Sequence, residues 1–249
     1  EHYSKITASL LPILSMLTTG KLADSLSPAL TDIHDTRPVM NLEKVINGGH
    51  VLYIGLDAMP NPTVASTLAG IWLSDLANIA GRRYNLGLSG GKAPRISLFV
   101  DEIANVINVP LIEILNKGAE SGIQTTCAMQ TVADLAHRMG SVEAAHVVLA
   151  NLNNLIALRT KDQMTQNFVV ETLGNTYIAN QSLTHNSKSP DEIHPDYASA
   201  VSHQMSTELE PIFPPEFLGK LPNCEAIVQV SAGYIYKTRC PILVKRIPS

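Results

Sequence analysis

Apolar residues recur along this chain with two periods, and the alternation between them outlines the fold. Ile6, Leu10, Ile13, Leu14 and Leu17 share one helical face within residues 3–19, and Gly20 and the Ser27–Pro28 pair punctuate its end. Residues 20–48 read as short helices and turns. His50 to Leu56 reads as a buried strand, closed by Asp57 and the turn formers Pro60, Asn61 and Pro62. Thr63 to Tyr84 carries Val64, Leu68, Ile71, Trp72, Leu76 and Ile79 at helical spacing, with Trp72 as core or interface packing. A Gly/Ser loop over 85–94 leads into a second strand at 95–101. A helix over 110–121 comes next, with Gly122 past its end as a C-cap requires. Residues 123–129 are a third strand, 132–139 and 142–150 short helices, 152–159 a fourth strand, and 161–173 a helix ended by Gly174. Strands alternating with helices predict an α/β fold with right-handed crossovers and a mainly parallel sheet flanked by helices.

The last third changes character. Residues 176–210 are rich in Asn, Ser, Thr, His and acids, which predicts a polar loop or irregular hairpin. A short helix after Pro214 and Pro215 precedes an apolar strand at 225–231. Gly233 turns the chain into a final strand at 234–244, so an antiparallel edge pair is expected there.

Two adjacent acids make the second strand informative. Ile96 to Val100 is an apolar run with one small polar residue, and Asp101 and Glu102 come directly after it. In open α/β sheets ligands sit at the carboxyl edge of the strands. Asp101 is placed to hold Mg²⁺, directly or through water, and Glu102 to orient or polarise an attacking water, which is the pattern of a Walker B strand. The competing reading is a strand end carrying a solvated acid pair. The third strand ends in Gln130. An amide at that edge reaches a γ-phosphate or the lytic water, as at the sensor position of RecA-like motors; the alternative is a glutamine that caps the next helix.

Composition bounds these readings. A chain of 249 residues with 45% hydrophobic and 16% charged residues buries one large core or two modest ones and excludes disorder over most of its length. A formal net charge of −4 provides no global field toward nucleic acid, so DNA contact would rest on local clusters or a ring. Lys117, Arg138, Lys161 and Lys188 are the candidates for such contact, against ordinary surface solvation. Cys127, Cys224 and Cys240 lie far apart in sequence, with neither zinc spacing nor a disulfide framework, which suits a reducing compartment. His137, His146, His185, His194 and His203 show no zinc spacing, and no Gly-x-Ser-x-Gly elbow supports a serine hydrolase. No apolar run reaches transmembrane length.

Three blocks in fixed order carry a resemblance to a known family. Ser97 to Glu102, then Leu115 to Gln124, then Gln130 to Leu135 resemble the conjugative coupling proteins of the TraD/TraG type, in the branch found on integrative conjugative elements. Gly49 to Ala58 is similar to that family's strand after its all-α domain. The resemblance spans roughly residues 1–247. It implies a membrane-anchored hexameric ATPase of bacterial conjugation and type IV secretion, working at the cytoplasmic face of the inner membrane. ATP and Mg²⁺ are the implied cofactors; DNA, relaxase or relaxosome proteins, channel components and further copies of itself are the implied partners. Asp101 and Glu102 match the Walker B acids, with Asp101 as the metal-holding residue, and Gln130 matches the family's motif glutamine. Arg159 falls where the family places an arginine that reaches a neighbouring subunit's nucleotide, and the competing reading is an ion pair with Asp162 or Glu171. Ala119 stands where many members carry Arg, so that arginine's role does not transfer.

No Gly-x-x-x-x-Gly-Lys-Ser/Thr occurs. Gly87 to Lys92 comes nearest, but it leads into Ala93–Pro94 and a strand, whereas a phosphate-cradling loop must open a helix. In the family that loop precedes the all-α domain. The expectation is therefore a piece of a longer protein: residues 1–48 as the end of an all-α domain, and 49–249 as the C-terminal part of a RecA-like motor domain lacking Walker A and inactive by itself. A substrate-protein docking module, acting through residues 1–48 or 176–210, and an unrelated metal-dependent α/β enzyme using Asp101 and Glu102 are the alternative readings.

Overall fold

Asparagine side chains start the helices around which the first compact unit, Glu1–Leu152, is organised. The computed structural model describes residues 2–26, 31–37, 40–56, 61–87, 93–187 and 199–241. In the first unit, α1 (His2–Thr18), α2 (Gly20–Leu26) and α3 (Leu42–Asn47) precede the long α4 (Pro62–Asn85). Asn41 Oδ1 accepts the Lys44 N–H at 2.8 Å, and Asn61 Oδ1 accepts the Val64 N–H at 3.2 Å. Each cap satisfies a donor that the first helical turn cannot. Pro62 opens α4, where its missing N–H is no loss.

After α4 come β1 (Ile96–Val100), α5 (Ile103–Val106), α6 (Val109–Lys117) and a 3₁₀ turn over Gly118–Ser121. β2 (Ile123–Cys127), α7 (Val132–Met139) and α8 (Val142–Leu149) complete the unit. Gly122 leaves the 3₁₀ turn at φ +77°, a left-handed conformation that glycine adopts without a Cβ clash. β1 and β2 pair in parallel, Ile96 opposite Ile123 through to Val100 opposite Cys127. Leu73, Leu76 and Ile79 of α4, Ile103, Leu111, Ile114, Ile123, Val132, Leu135 and Val148 are buried. Arg83, only 6% exposed, reaches from α4 to the Pro94 carbonyl at 2.8 Å and the Ser121 carbonyl at 3.4 Å, while Ser121 Oγ donates to the Ala80 carbonyl at 2.9 Å. α4 is thereby fastened to the segments that enter both strands.

The second unit, Asn153–Ser249, contains β3 (Leu155–Ala157), α9 (Gln163–Leu173), β4 (Asn175–Ser187), β5 (Ser199–Pro211), a 3₁₀ turn over Pro215–Lys220, β6 (Glu225–Gln229) and β7 (Ile235–Arg239). β3, β6 and β7 form an antiparallel sheet in that order. Its core joins Ala157, Val169, Leu173, Leu218, Leu221 and Ile227, with Phe168, Phe213 and Phe217 packed against them. β6 turns into β7 through a three-residue loop: the Gly233 N–H donates to the Val230 carbonyl at 2.8 Å, the Val230 N–H to the Tyr234 carbonyl at 3.1 Å, and Gly233 takes φ +82°. A left-handed glycine closing a three-residue hairpin loop is a common form of such turns.

Several expectations change. Residues 50–56 form no strand; Val51 and Tyr53 are 97% and 89% exposed, and among the described residues no neighbouring strand accepts their backbone. The parallel sheet has two strands among the described residues, and the strand expected at 152–159 joins an antiparallel sheet instead, because its partner is β6. β1 has one open face, although its apolar run reads as a strand buried on both: Ser97 and Phe99 are exposed and alternate with half-buried Ile96 and Leu98, the period of a sheet packed on one side. Within the span 176–210, the described residues 176–187 and 199–210 are not irregular. β4 and β5 pair over all 13 positions, from Asn175 opposite Pro211 to Ser187 opposite Ser199. The readings of Ser27–Pro28, Asp57 to Pro60, the loop residues 88–92, Lys188, His194 and the last residues of the final strand lie outside the described residues. Among the described residues no helix is long and apolar enough to cross a membrane.

Burial predicts which apolar residues matter. Leu218→Ala should cost about 2–5 kcal/mol through lost transfer energy and the cavity left behind, while Phe99→Ser should stay within about 1 kcal/mol of the native chain. Urea unfolding of the two variants checks both values.

Candidate functional site at the carboxyl edge of the parallel strands

The parallel ladder does not stop where the strands end. The Ala128 N–H donates to the Val100 carbonyl at 2.8 Å, and the Ile103 N–H donates to the Ala128 carbonyl at 2.9 Å. These two bonds draw the Asp101–Glu102 corner against the exit of β2. The chain must turn between Val100 and Ile103, and Glu102 makes the turn at φ 51°, ψ 61°. A left-handed glutamate is costly for an L-residue, and among the described residues only Cys224 shares a positive φ without being glycine. Ile103, 1% exposed, anchors the far side of the corner.

The strained corner brings two candidate residues together. Gln130 Nε2 donates to Glu102 Oε2 at 3.0 Å across 28 positions of sequence. Gln130 is not the cap of the next helix: Thr131 Oγ1 accepts the Asp134 N–H at 3.0 Å and donates to Asp134 Oδ2 at 2.7 Å, which leaves the glutamine side chain to the strand edge. Asp101 is exposed, and its Oδ1 accepts the Glu102 N–H at 3.0 Å. Asp101, Glu102 and Gln130 thus occupy one edge, two carboxylates and an amide facing the solvent side of the strand ends.

That donor set fits a cation delivered with a phosphate ligand better than a protein-only metal cage. Mg²⁺ takes one or two carboxylates and fills its remaining positions with water and phosphate oxygens. Among the described residues no group of three or more His, Cys, Asp or Glu side chains is placed to hold a metal. On β2, burial pushes the Cys127 thiol up to about 11, so at neutral pH it is a small protonated side chain of the strand.

The other candidates lie elsewhere. Lys117 is committed to Glu113, one helical turn back, at 2.7 Å. Arg138 is exposed and lines a groove of about 820 Å³ with Ser66, Ser74, Asp75 and Asn108, a groove that none of Asp101, Glu102 and Gln130 borders. Arg159 is exposed in the second unit, and neither competing ion pair forms: Asp162 instead caps α9, its Oδ2 accepting the Thr165 N–H at 2.8 Å and hydroxyl at 2.6 Å. Sequence reasoning passed over Arg83 and Ser121, which hold the strand entrances. A signal existed: Leu76, Ile79 and Arg83 fall at i, i+3 and i+7 on one helical face, so the arginine had to be buried with its neighbours.

A family model described as the TraM recognition site of TraD and TraG matches residues 95–223, from the entrance of β1 to the residue before Cys224. The chain belongs to the TraD/TraG family. No curated protein matches it. Among solved structures it is similar in fold to the bacterial conjugative coupling protein TrwB in an unbound monoclinic form, with TM-score 0.53 and 19% identity over 70% of this chain and 38% of that one. It is likewise similar to plasmid coupling protein TrwB in complex with ADP and Mg²⁺ (TM-score 0.52, 20% identity, 73% of this chain and 37% of that one). A TrwB complex with a non-hydrolysable ATP analogue gives TM-score 0.50 and 18% identity over 74% and 40%. This TraD/TraG member therefore spans about two-fifths of the length of the solved coupling proteins it matches.

The corner yields a direct test of strain. Glu102→Gly and Glu102→Ala both remove the bond to Gln130, but only glycine relieves the left-handed backbone. The glycine variant should be the more stable of the two by about 1 kcal/mol in urea unfolding. Equal stabilities would mean that the corner relaxes without cost.

Proposed function

We propose that this chain is the C-terminal part of the nucleotide-binding motor of a conjugative coupling protein, a hexameric ring ATPase that drives DNA with its attached relaxase toward a type IV secretion channel. The hydrogen bond between Glu102 and Gln130, made at the carboxyl edge of adjacent parallel strands, carries this reading. In it, the RecA-like sheet is completed, and the phosphate-cradling loop supplied, by polypeptide outside these 249 residues. Residues 1–48 end an all-α domain, and 49–249 belong to the motor. The longer protein is anchored in the inner membrane with this part on the cytoplasmic side.

Asp101 would hold the Mg²⁺ that accompanies the nucleotide, directly or through water; when bound, the ion would supply positive charge against the phosphate oxygens. Glu102 orients the attacking water and accepts its proton. Its backbone is left-handed, and the Gln130 amide fixes one carboxylate oxygen, leaving the other for the water. Gln130, bonded to that glutamate and reaching the γ-phosphate, couples the phosphate's presence to the position of the base. Arg159 acts in trans on the neighbouring subunit's nucleotide. Lys117 and Arg138 are the weaker candidates for backbone contact with DNA, Lys117 less so because Glu113 already occupies it.

A second reading, docking of a relaxosome protein, is favoured by the description of the matched family as a TraM recognition site. The β4–β5 hairpin lies inside the match, and Tyr177, Met205 and Leu209, which fall on one face of its register, are 75%, 76% and 55% exposed. The two readings are compatible within one protein and separable by experiment.

ATP turnover by the complete coupling protein, with single- and double-stranded DNA added, tests the motor. Glu102→Gln should lower turnover by about 10²–10⁴-fold while nucleotide binding is retained, the range for losing a general base. Unchanged turnover in Glu102→Gln would reduce Asp101 and Glu102 to a strand end and put the docking reading first.

A further inference from the structure

Cys224 and Cys240 stand 16 positions apart in sequence, yet β6 and β7 bring them opposite one another. The register pairs Glu225 with Arg239 at the open end of this hairpin, so the next pair outward is Cys224 with Cys240. The hydrogen-bond alternation of an antiparallel ladder confirms the placement. Val230 and Tyr234 are a bonded pair at the turn; counting outward by twos makes Val228 with Tyr236, Ala226 with Thr238 and Cys224 with Cys240 the bonded sites. The Cys240 N–H donates to the Cys224 carbonyl at 2.7 Å, as that parity requires. Bonded antiparallel pairs hold their Cα atoms roughly 5.5 Å apart, inside the span of roughly 4.4–6.8 Å that a disulfide bridges. Both thiols are free and exposed.

We propose that Cys224 and Cys240 form a redox-responsive thiol pair that closes to a disulfide on exchange with a low-molecular-weight disulfide. One thiolate attacks the small disulfide, forming a mixed disulfide and expelling one small thiolate. The second protein thiolate then attacks the protein sulfur of that mixed disulfide, forming the internal S–S bond and expelling the second small thiolate. The two protons lost by the cysteines end on the two small thiols, and the two electrons pass to the oxidant.

The geometry favours a reversible link over a permanent staple. Cys224 sits at φ 63°, a strained conformation for a residue with a Cβ, at the exposed end of the hairpin. Exposed disulfides have the more oxidising potentials of labile and regulatory bonds. Closure ties the start of β6 to the end of β7, just beyond Leu221 of the second unit's core.

The test is thiol–disulfide equilibrium of the 249-residue chain in mixtures of reduced and oxidised glutathione, quenched by alkylation and mapped by peptide mass. A 224–240 linked peptide is expected, with Cys127 remaining reduced, and a closure constant at least about ten-fold larger in the folded chain than in the same chain unfolded in urea. Cys224→Ser and Cys240→Ser, whose folding is checked by circular dichroism, should each carry one glutathione on the remaining partner. Glutathione adducts on both cysteines without the internal link, a link to Cys127, or equal constants in the folded and unfolded chain would each overturn the proposal.

Discussion

Two backbone hydrogen bonds, Ala128 N–H to Val100 carbonyl and Ile103 N–H to Ala128 carbonyl, constrain everything at the candidate site. They prolong the parallel ladder by one step past the strands and leave only Asp101 and Glu102 to turn the chain into α5. Glu102 makes the turn in the left-handed region and takes the strain. In exchange, a carboxylate ends beside an amide from the neighbouring strand. Neither residue would meet the other if β1 and β2 were antiparallel, because a parallel pair puts both carboxyl ends on one edge.

The rest of the first unit supports that ladder. Arg83 and Ser121 fasten α4 to the segments entering β1 and β2, with polar groups whose partners are backbone carbonyls. Such buried bonds matter most when broken, since an unpaired buried donor costs more than the bond contributes. Thr131 caps α7 and so frees Gln130 for the edge. The caps at Asn61, Asn108, Thr131, Ser141 and Asp162 each set a helix start by a side-chain oxygen on a backbone N–H. These caps fix where each helix begins, while the ladder between β1 and β2 fixes the strand edge itself.

Membership in the TraD/TraG family and likeness to solved coupling proteins agree with one another on fold. The second unit carries two hairpins of different kinds. The β4–β5 hairpin pairs over 13 positions and is two strands wide among the described residues, a form that is marginal in water without a surface to pack on. The β6–β7 hairpin joins two cysteines that sequence spacing had set aside as unrelated.

Helices were legible in the sequence, because a 3.6-residue apolar period and a capping side chain act within a few residues of each other. So was the acid pair of Asp101 and Glu102, since an apolar run ending in two carboxylates is a local pattern, and Gln130 emerged from the same logic one strand later. The residue types and order of the blocks were enough to indicate the family. Strand partners were not legible. Residues 50–56 have the apolar content of a strand but no ladder to join among the described residues, 155–157 pair antiparallel with a strand some 70 positions away, and 175–187 pair regularly with 199–211 despite a loop's composition. A strand's hydrogen bonds are made to another segment, so its own residues cannot specify which one. For the same reason only the tertiary structure decided the left-handed turn at Glu102, its bond to Gln130, and the pairing of Cys224 with Cys240: each depends on a register between distant segments, and register is a property of the packed chain.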